Sequence, residues 1–578
     1  MSRILRINMT DLTAKFEEVP EKYRLFGGRG LTSSIVSDEV PATCHPLGPN
    51  NKVVFAPGLV SGTSAPSSGR LSVGGKSPLT GTIKEANAGG IASQKIARLG
   101  IKAIIVEGQA TDGKLHALKV DKDAASLVSA DDLAGKGMYE VDQIIWNKYP
   151  NKPGVIGIGP AGEMRMASAG VSVNDPENGP GRYAGRGGLG AVMGSKGLKA
   201  IIVDDKGGPG VHVANPEVFR QETQKLTDAL LSHGVTSKAL PEYGTAVLIN
   251  IMNEAGGLPT RNFSSGRFEG AAKVSGETIN ELATKVRKGA GRVAHACHPG
   301  CVIKCSNVFP KPDGSYHVSC IEYESDWALG PNCGIDDLDA VAELVRICND
   351  VGLDTIEAGV TIGVAMEAGV IQFGDGKGAI DLLNEVGKGT PLGRIIGSGA
   401  TFTGLAFGVT RIPAVKGQGM PAYEPRAVKG IGVTYATSTM GADHTAGYTI
   451  APEILGVGGK ADPFAVNKGE LSRAFQAATA FIDTTGYCLF IAFAILDIAS
   501  GFEGMVNSVN AMYGVDWTND EVVRIGERVL KLERAFNERA GFTKAHDRVP
   551  EFMKIEKLPP HNVVFDVTDE ELDSVYAF

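Results

Sequence analysis

The spacing of apolar residues changes once along this chain, near residue 205, and that change constrains the fold more than any single motif. Before it, apolar residues come in short runs: VVFAPG at 53–58, IKAIIVEG at 101–108, GVIGIG at 154–159 and KAIIVDD at 199–205. Runs of this length among Gly, Pro and Ser read as strands. From Pro216 onward the spacing is helical, over 216–232, 336–349, 355–371 and 464–483. A last helix is expected from about Asn519 to Ala540. Val522, Ile525, Val529, Leu532 and Phe536 share one face, Thr518 and Glu521 suit a capping box, and Gly541 suits the stop. The pattern predicts an α+β protein: a β-rich domain over 1–208, then two mainly helical domains over 209–415 and 416–578. The Gly/Pro stretch DKGGPGVHVA at 205–214 is the first linker, and a weaker boundary falls within 400–425. Three or four domains also suit 578 residues. No low-complexity tract or solenoid period is visible.

Composition narrows the function. Lys plus Arg number 57 against 65 Asp plus Glu, a net charge of −8, without the basic excess that binding nucleic acid demands. Hydrophobic residues at 43% and charged residues at 21% describe a globular chain and argue against disorder. Glycine is in excess, 76 of 578 residues against a usual share of about 7%, which suits tight turns and close backbone approach to a ligand. The N-terminus, MSRILRINMT, has no apolar stretch of the secretory kind. The longest apolar run, Cys488 to Leu496, is too short to span a membrane, ends at Asp497, and reads as buried core. A cytoplasmic protein with neither membrane nor nucleic-acid partner is expected.

The strongest chemical signal is Cys297-His-Pro-Gly-Cys301-Val-Ile-Lys-Cys305. Three thiols at four-residue spacing can converge on one inorganic centre, and thiolates are the ligands of iron–sulfur clusters. A fourth ligand is then required. Zinc competes, because His295 and His298 flank the thiols and Cys₃His sites are common; three core cysteines without a metal are the plainest alternative. A second signal is a pair of similar segments. LDAVAELVRICN at 338–349 runs out before Asp350-Val-Gly352-Leu-Asp354, and SRAFQAATAFID at 472–483 before Thr484-Thr-Gly486-Tyr-Cys488. Each helix stops at a glycine suited to a left-handed cap, with a ligand-type residue two positions on. They are either two ordinary capped helices or two grips on a large, roughly two-fold ligand.

Gly157-Ile-Gly159-Pro-Ala-Gly162 and Gly185-Arg-Gly187-Gly-Leu-Gly190 both fit G-x-G-x-x-G. The first lacks the amphipathic helix and second strand of a dinucleotide unit. The second lies in GRYAGRGGLGAVMGSKGLKA at 181–200, where glycine amides and basic side chains suit an anion cradle. SSGRLSVGGK at 67–76, with Asn87 nearby, suits another. Glu322-Tyr-Glu324 and Asp443-His444 are the acid–base candidates. A strand-like EYE would send Glu322 and Glu324 the same way, with Tyr323 opposite.

Together these residues resemble the tungsten-containing aldehyde:ferredoxin oxidoreductase family. The resemblance runs through GGRG at 27–30, 68–90, 181–200, the cysteine cluster, EYES at 322–325, GADHT at 441–445, DTTGYC at 483–488 and FNERAGF at 536–542. It implies a β-rich platform capped by two helical domains, with a tungsten or molybdenum bis-pyranopterin cofactor buried between them. Residue by residue it implies that Cys297, Cys301, Cys305 and Cys488 hold a [4Fe–4S] cluster. Asn349, Asp354 and Asp483 would hold the two pterins, Arg70 and Arg186 their phosphates, and Asn87 with the Gly187 carbonyl a Mg²⁺ bridging those phosphates. Glu324 and His444 match the active-site acid–base pair.

Two departures stand out. Some members have Cys-x₂-Cys-x₃-Cys, whereas the first gap here is three residues. The dimer-bridging Glu-x-x-His of the archaeal type reads Glu343-Leu-Val-Arg346 here, and arginine does not ligate metals, so the oligomer stays open. The implied function is oxidation of an aldehyde to the carboxylate. Electrons would pass to ferredoxin or to a dedicated iron–sulfur subunit, with a flavoprotein subunit as a further option. Rivals are low-potential reduction of an aromatic acyl thioester, which the spare thiol Cys320 keeps open, a zinc-containing dinucleotide dehydrogenase, and a cluster-only electron-transfer scaffold.

Overall fold

The computed structural model describes residues 2–577. Twelve strands fill the first 203 residues: β1 (Arg3–Asn8), β2 (Thr13–Glu18), β3 (Val53–Pro57), β4 (Leu71–Lys76), β5 (Ile83–Ala88), β6 (Ile101–Glu107), β7 (His116–Val120), β8 (Ala125–Ser129), β9 (Gly154–Gly157), β10 (Val171–Val173), β11 (Arg182–Ala184) and β12 (Leu198–Val203). They form two six-stranded sheets, ordered β2-β1-β6-β3-β4-β5 and β8-β7-β12-β9-β10-β11. The two orders are one topology used twice. Each has a single parallel pair, β1/β6 and β7/β12. Helices α1 (Gly28–Glu39) and α2 (Met138–Lys148) belong to the same region.

Strand residues alternate between two cores. Val53 and Phe55 join a cluster shared with Leu118, Ile156 and Ile201 of the other sheet, while Val54 and Ala56 face Leu31 and Ile35 of α1. On the far side of the second sheet, Ala200 and Ile202 pack on Val141 and Ile145 of α2. Sheets covered on both faces explain the unbroken apolar runs.

Beyond residue 215 the chain is mainly helical: α3 (Pro216–Ser232), a small sheet of β13 (Arg292–His295), β14 (Ser306–Pro310) and β15 (Tyr316–Ser319), α4 (Tyr323–Leu329), α5 (Leu338–Val351), α6 (Thr355–Glu367), α7 (Gly469–Thr485), α8 (Ala492–Asp497), α9 (Ala499–Tyr513) and α10 (Asn519–Arg539) among others. The α+β expectation holds. Several boundaries shift. The Asp337 side chain accepts from the Asp339 and Ala340 amides and starts α5 at Leu338; α7 begins at Gly469 rather than 464. The capping box at Thr518 does not form, because the Glu521 carboxylate pairs with Arg524 at 3.1 Å instead of reaching back. The run from Cys488 to Leu496 is only partly core, with Leu489 and Phe490 half-buried and Leu496 exposed. Among the described residues, no helix is long and apolar enough to cross a membrane.

The duplicated sheets grip the two glycine-capped helices in the same way. Gly352 ends α5 and Gly486 ends α7, both left-handed at φ 87° and 86°. Gly159, just after β9, lies so near α5 that a Cβ there would sit 2.2 Å from the Val351 oxygen; Gly58, just after β3, would meet Gly486 Cα at 2.0 Å. The residue before β10, Gly170, donates its amide to the Gly352 oxygen at 3.0 Å, and the residue before β4, Arg70, donates to Gly486 oxygen at 3.2 Å. Asp354 and Cys488 thus occupy matching places, two residues beyond each cap, and their amides donate to Ser168 and Ser67.

Candidate active site

Between the sheets and the helices lies a cavity of about 360 Å³. Arg70, Asn87, Arg186, Asn349, Asp354, Asp483, Glu324, His444, Cys297, Cys305 and Cys488 all line it; Gly187 and Cys301 do not.

One side carries the thiols. Cys297, His298 and Cys301 place ligand atoms within 4.8 Å of one another, and the Cys305 and Cys488 thiols feel the charge of their neighbours. Burial and neighbouring thiols push Cys305 and Cys488 up, a cost that a metal ion removes. The Lys304 amide donates to Cys301 Sγ at 3.3 Å. Ser67, at φ 53°, ties the loop to the fourth cysteine: its oxygen accepts from the Cys488 amide at 2.8 Å, its amide donates to Gly300, and its hydroxyl accepts from the Val302 amide. The two flanking histidines separate. His298 joins the thiols, its Nε2 buried without a partner, whereas His295 turns to Arg182, at 3.1 Å, and Glu177.

The arginines differ. Arg186 is largely spent on the protein, donating to Asp354 at 3.1 Å and to the Ala442 and Gly419 carbonyls, so two of its five N–H groups remain. Arg70 has no carboxylate hydrogen-bond partner. It donates to the Asn87 side chain and carbonyl and lies among Cys297, Cys305 and Cys488. The Gly187 carbonyl accepts from Ser77 Oγ at 2.7 Å. Asn349 Nδ2 is buried without a partner. Asp483 is pushed up to about 8 by burial and by Glu85, against the pull of Arg29 and Arg70.

Glu324 and His444 line the same cavity, with His444 Nε2 3.4 Å from Glu324 Oε1. Burial pushes Glu324 up to about 8 and His444 down to about 4. Glu324 Oε2 accepts from the Ala422 amide at 3.0 Å, while Oε1 and His444 Nδ1 lack hydrogen-bond partners. The expected strand-like EYE is wrong. Tyr323 opens helix α4; both glutamates line the cavity, but with different partners: Glu322 accepts from Thr245 Oγ1 at 2.8 Å and lies 3.6 Å from Arg182. Cys320 also lines the cavity, but its thiol donates to the Gly181 carbonyl at 2.8 Å and is pushed up to about 12 by burial.

Sequence reasoning missed Arg29, Glu85 and Arg182 as wall residues. Arg29 pairs with Glu533 at 2.9 Å and lies 3.6 Å from Asp483; the GGRG motif was its signal. Arg182 stands inside the 181–200 glycine run, and its buried Nε lacks a partner. Glu343, whose own helix offers Arg346 in place of histidine, pairs instead with His317 of β15 at 2.7 Å.

Three thiols on the cavity wall with Cys301 beside one of them, guanidinium groups with donors to spare and orphaned buried polar atoms suit a metal cluster beside an anionic ligand. Fold and site are those of an oxidoreductase. The profiles described as "Aldehyde ferredoxin oxidoreductase, N-terminal domain" and "Aldehyde ferredoxin oxidoreductase, domains 2 & 3" match residues 4–205 and 221–578. The tungsten-containing aldehyde ferredoxin oxidoreductases of Pyrococcus abyssi and Pyrococcus horikoshii are each 36% identical, over 96% of this chain and 92% of theirs. The chain belongs to the aldehyde ferredoxin oxidoreductase family. The BamBC active-site complex of benzoyl coenzyme A reductase, solved with 1,5-dienoyl-CoA, shares the fold with a TM-score of 0.79 at 19% identity, over all of this chain and 93% of that one.

Proposed function

We propose that this chain oxidises an aldehyde to the carboxylate, taking the oxygen from water and passing two electrons singly through a [4Fe–4S] cluster to ferredoxin or an iron–sulfur subunit. One observation supports the reading most: the Glu324/His444 pair and the thiols of Cys297, Cys305 and Cys488 line one cavity, with Arg70 beside those thiols. Cys297, Cys301, Cys305 and Cys488 would hold the cluster. Asn349, Asp354 and Asp483 would hold a bis-pyranopterin, and Arg70 and Arg186 its phosphates, with Mg²⁺ between Asn87 and the Gly187 carbonyl. The pterin-bound tungsten or molybdenum would supply the two-electron redox change and Lewis acidity. The domain assignment, 1–208 as platform with 209–415 and 416–578 as caps, belongs to the same proposal.

The side chains then divide the proton work. At neutral pH Glu324, with a value near 8, is a carboxylic acid, and His444, with a value near 4, is a neutral imidazole. Oε2 is taken by the Ala422 amide, so the acidic proton sits on Oε1 and donates to the aldehyde oxygen. His444 accepts the proton that water releases as it adds to the carbonyl carbon; when the C–H bond of the resulting hydrate breaks, its electron pair would leave to the cofactor and the Glu324 carboxylate takes back a proton. Both act in a buried site where unmatched charge is costly.

Metal analysis of anaerobically purified protein, together with aldehyde-dependent viologen reduction, tests the reading. Roughly four irons per chain with one tungsten or molybdenum and viologen reduction support it; zinc alone favours the dehydrogenase, and iron alone the electron-transfer scaffold. The acyl-thioester rival has a related fold on its side, but Cys320, protonated and bound to Gly181, offers it no reactive thiol.

A further inference from the structure

A second cavity lies next to the first, beyond His444. The Tyr448 ring lies 6.5 Å from that of His444, and behind it is a second chamber of about 80 Å³ that shares Tyr448, Leu489, Phe490 and Phe493 with the first. Its remaining walls come mainly from α7, α8 and α9. Apart from Thr479 they are hydrocarbon: among the described residues no charged side chain lines the chamber, and the Tyr448 hydroxyl is engaged with that of Tyr423 at 2.7 Å. Phe493 meets the Tyr448 ring edge-on at 6.0 Å, and Phe490 tilts against Phe493 at 5.7 Å. An apolar, aromatic-lined space thus lies one ring away from the acid–base pair, on the far side of Tyr448.

We propose that this chamber binds the hydrocarbon tail of the substrate, so that the preferred aldehydes carry an unbranched tail of roughly four to six carbons, the chamber holding on the order of five water-sized spheres. The inference rests on the aldehyde reading. The carbonyl group stays at Glu324 and His444 while the tail passes Tyr448 and Phe493. An apolar chamber of this kind holds water poorly, so each methylene that enters it leaves water at little cost and should tighten binding about fourfold. Acetaldehyde has no tail to place there. The aromatic rings lose little freedom on binding, which suits them to gripping an otherwise featureless chain.

The test compares kcat/KM for acetaldehyde and hexanal on the metal-loaded enzyme, and measures acetate and hexanoate binding by calorimetry on the same protein. Hexanal should be favoured by about 10²-fold, and hexanoate should bind tighter than acetate by a similar factor. Ala492→Leu, which fills the chamber without touching the first cavity, should lower kcat/KM for hexanal at least tenfold and leave acetaldehyde nearly unchanged. Phe502→Ala, also confined to the chamber, should move the preference toward octanal. Equal losses for both aldehydes in Ala492→Leu would make the chamber an entry route and overturn the proposal. So would equal binding of the two carboxylates. Tight hexanoate binding with no aldehyde oxidised would instead uphold the chamber and sink the reaction proposed above.

Discussion

His444 Nε2 and Glu324 Oε1 face each other at 3.4 Å without forming a hydrogen bond, one group pushed down to about 4 and the other up to about 8. Burial drives both shifts the same way, toward the neutral form. The pair is therefore a neutral acid beside a neutral base across the neutral range. The expected pH profile of kcat/KM is a bell with limbs near 4 and 8, the alkaline limb disappearing in Glu324→Gln. The same shift links to stability. The Glu324 contribution is intact below its ordinary value and is lost as pH rises through about 8, and Asp483 follows the same course. A profile whose alkaline limb survives in Glu324→Gln would assign that limb elsewhere.

Neither residue holds the metal in this reading, so His444→Ala and Glu324→Gln should keep full tungsten or molybdenum and iron while kcat falls by ~10²-fold or more. Glu322 is the control. Its carboxylate is engaged by Thr245 and lies near Arg182, so Glu322→Gln should retain most activity per metal-loaded molecule. Should Glu322→Gln be the inactive variant, the catalytic carboxylate has been assigned to the wrong glutamate.

What could be read from the sequence follows how local each feature is. The three clustered cysteines and the glycine stops after α5 and α7 are local patterns and stood out. Cys488 lies far from the other three in sequence and is singled out by two things, its place after a glycine cap, matching that of Asp354, and the family resemblance of DTTGYC. The EYE register was misread because α4, at seven residues, is too short to show a helical period. The twofold use of one sheet topology was illegible, since strand order is set by non-local pairing that leaves no periodic trace. Arg29 and Arg182 are hidden for another reason: each sits in a glycine-rich motif, where nothing local separates an arginine on a cavity wall from a solvated one.

Gly159 offers a test of that kind of motif. It fits G-x-G-x-x-G, yet the helix that follows, Pro160–Glu163, has four residues, and an added Cβ would sit 2.2 Å from the Val351 oxygen. Its role is close packing on the end of α5. Gly159→Ala should cost about 1–3 kcal/mol of stability, read as a lower unfolding midpoint, and the wild-type chain should bind no NAD. Saturable NAD binding that Gly159→Ala abolishes would restore the dinucleotide reading.

Arg70 and Arg186 should separate on mutation. Arg70 keeps donors free and has no carboxylate hydrogen-bond partner, so Arg70→Ala should lower bound pterin and tungsten or molybdenum together with little loss of fold. Arg186 also secures Asp354 and two carbonyls, so Arg186→Ala should lose cofactor and thermal stability together. Stoichiometric metal in both variants would show that the phosphate sites are misplaced.

Cys488 is the thiol that arrives from a distant element, and its place is set by the fold rather than by the cysteine loop. Its amide is held by Ser67 and the glycine before it is locked against Gly58, so Cys488→Ala should leave the chain folded. Cys297, Cys301 and Cys305 would still offer three thiolates from one loop, which suffices for a cluster with one iron exposed and labile. The expected result is a loss of about one iron per chain, an altered EPR signal in the reduced protein, and slowed electron transfer to ferredoxin with tungsten or molybdenum retained. Cys333, buried with its thiol donating to the Ala328 carbonyl, is the comparison: Cys333→Ala should leave iron content and EPR signal unchanged while lowering stability. An unaltered cubane signal in Cys488→Ala would remove this residue from the ligand set. His298, which groups with Cys297 and Cys301 and whose buried Nε2 has no partner, would then be the fourth ligand to examine.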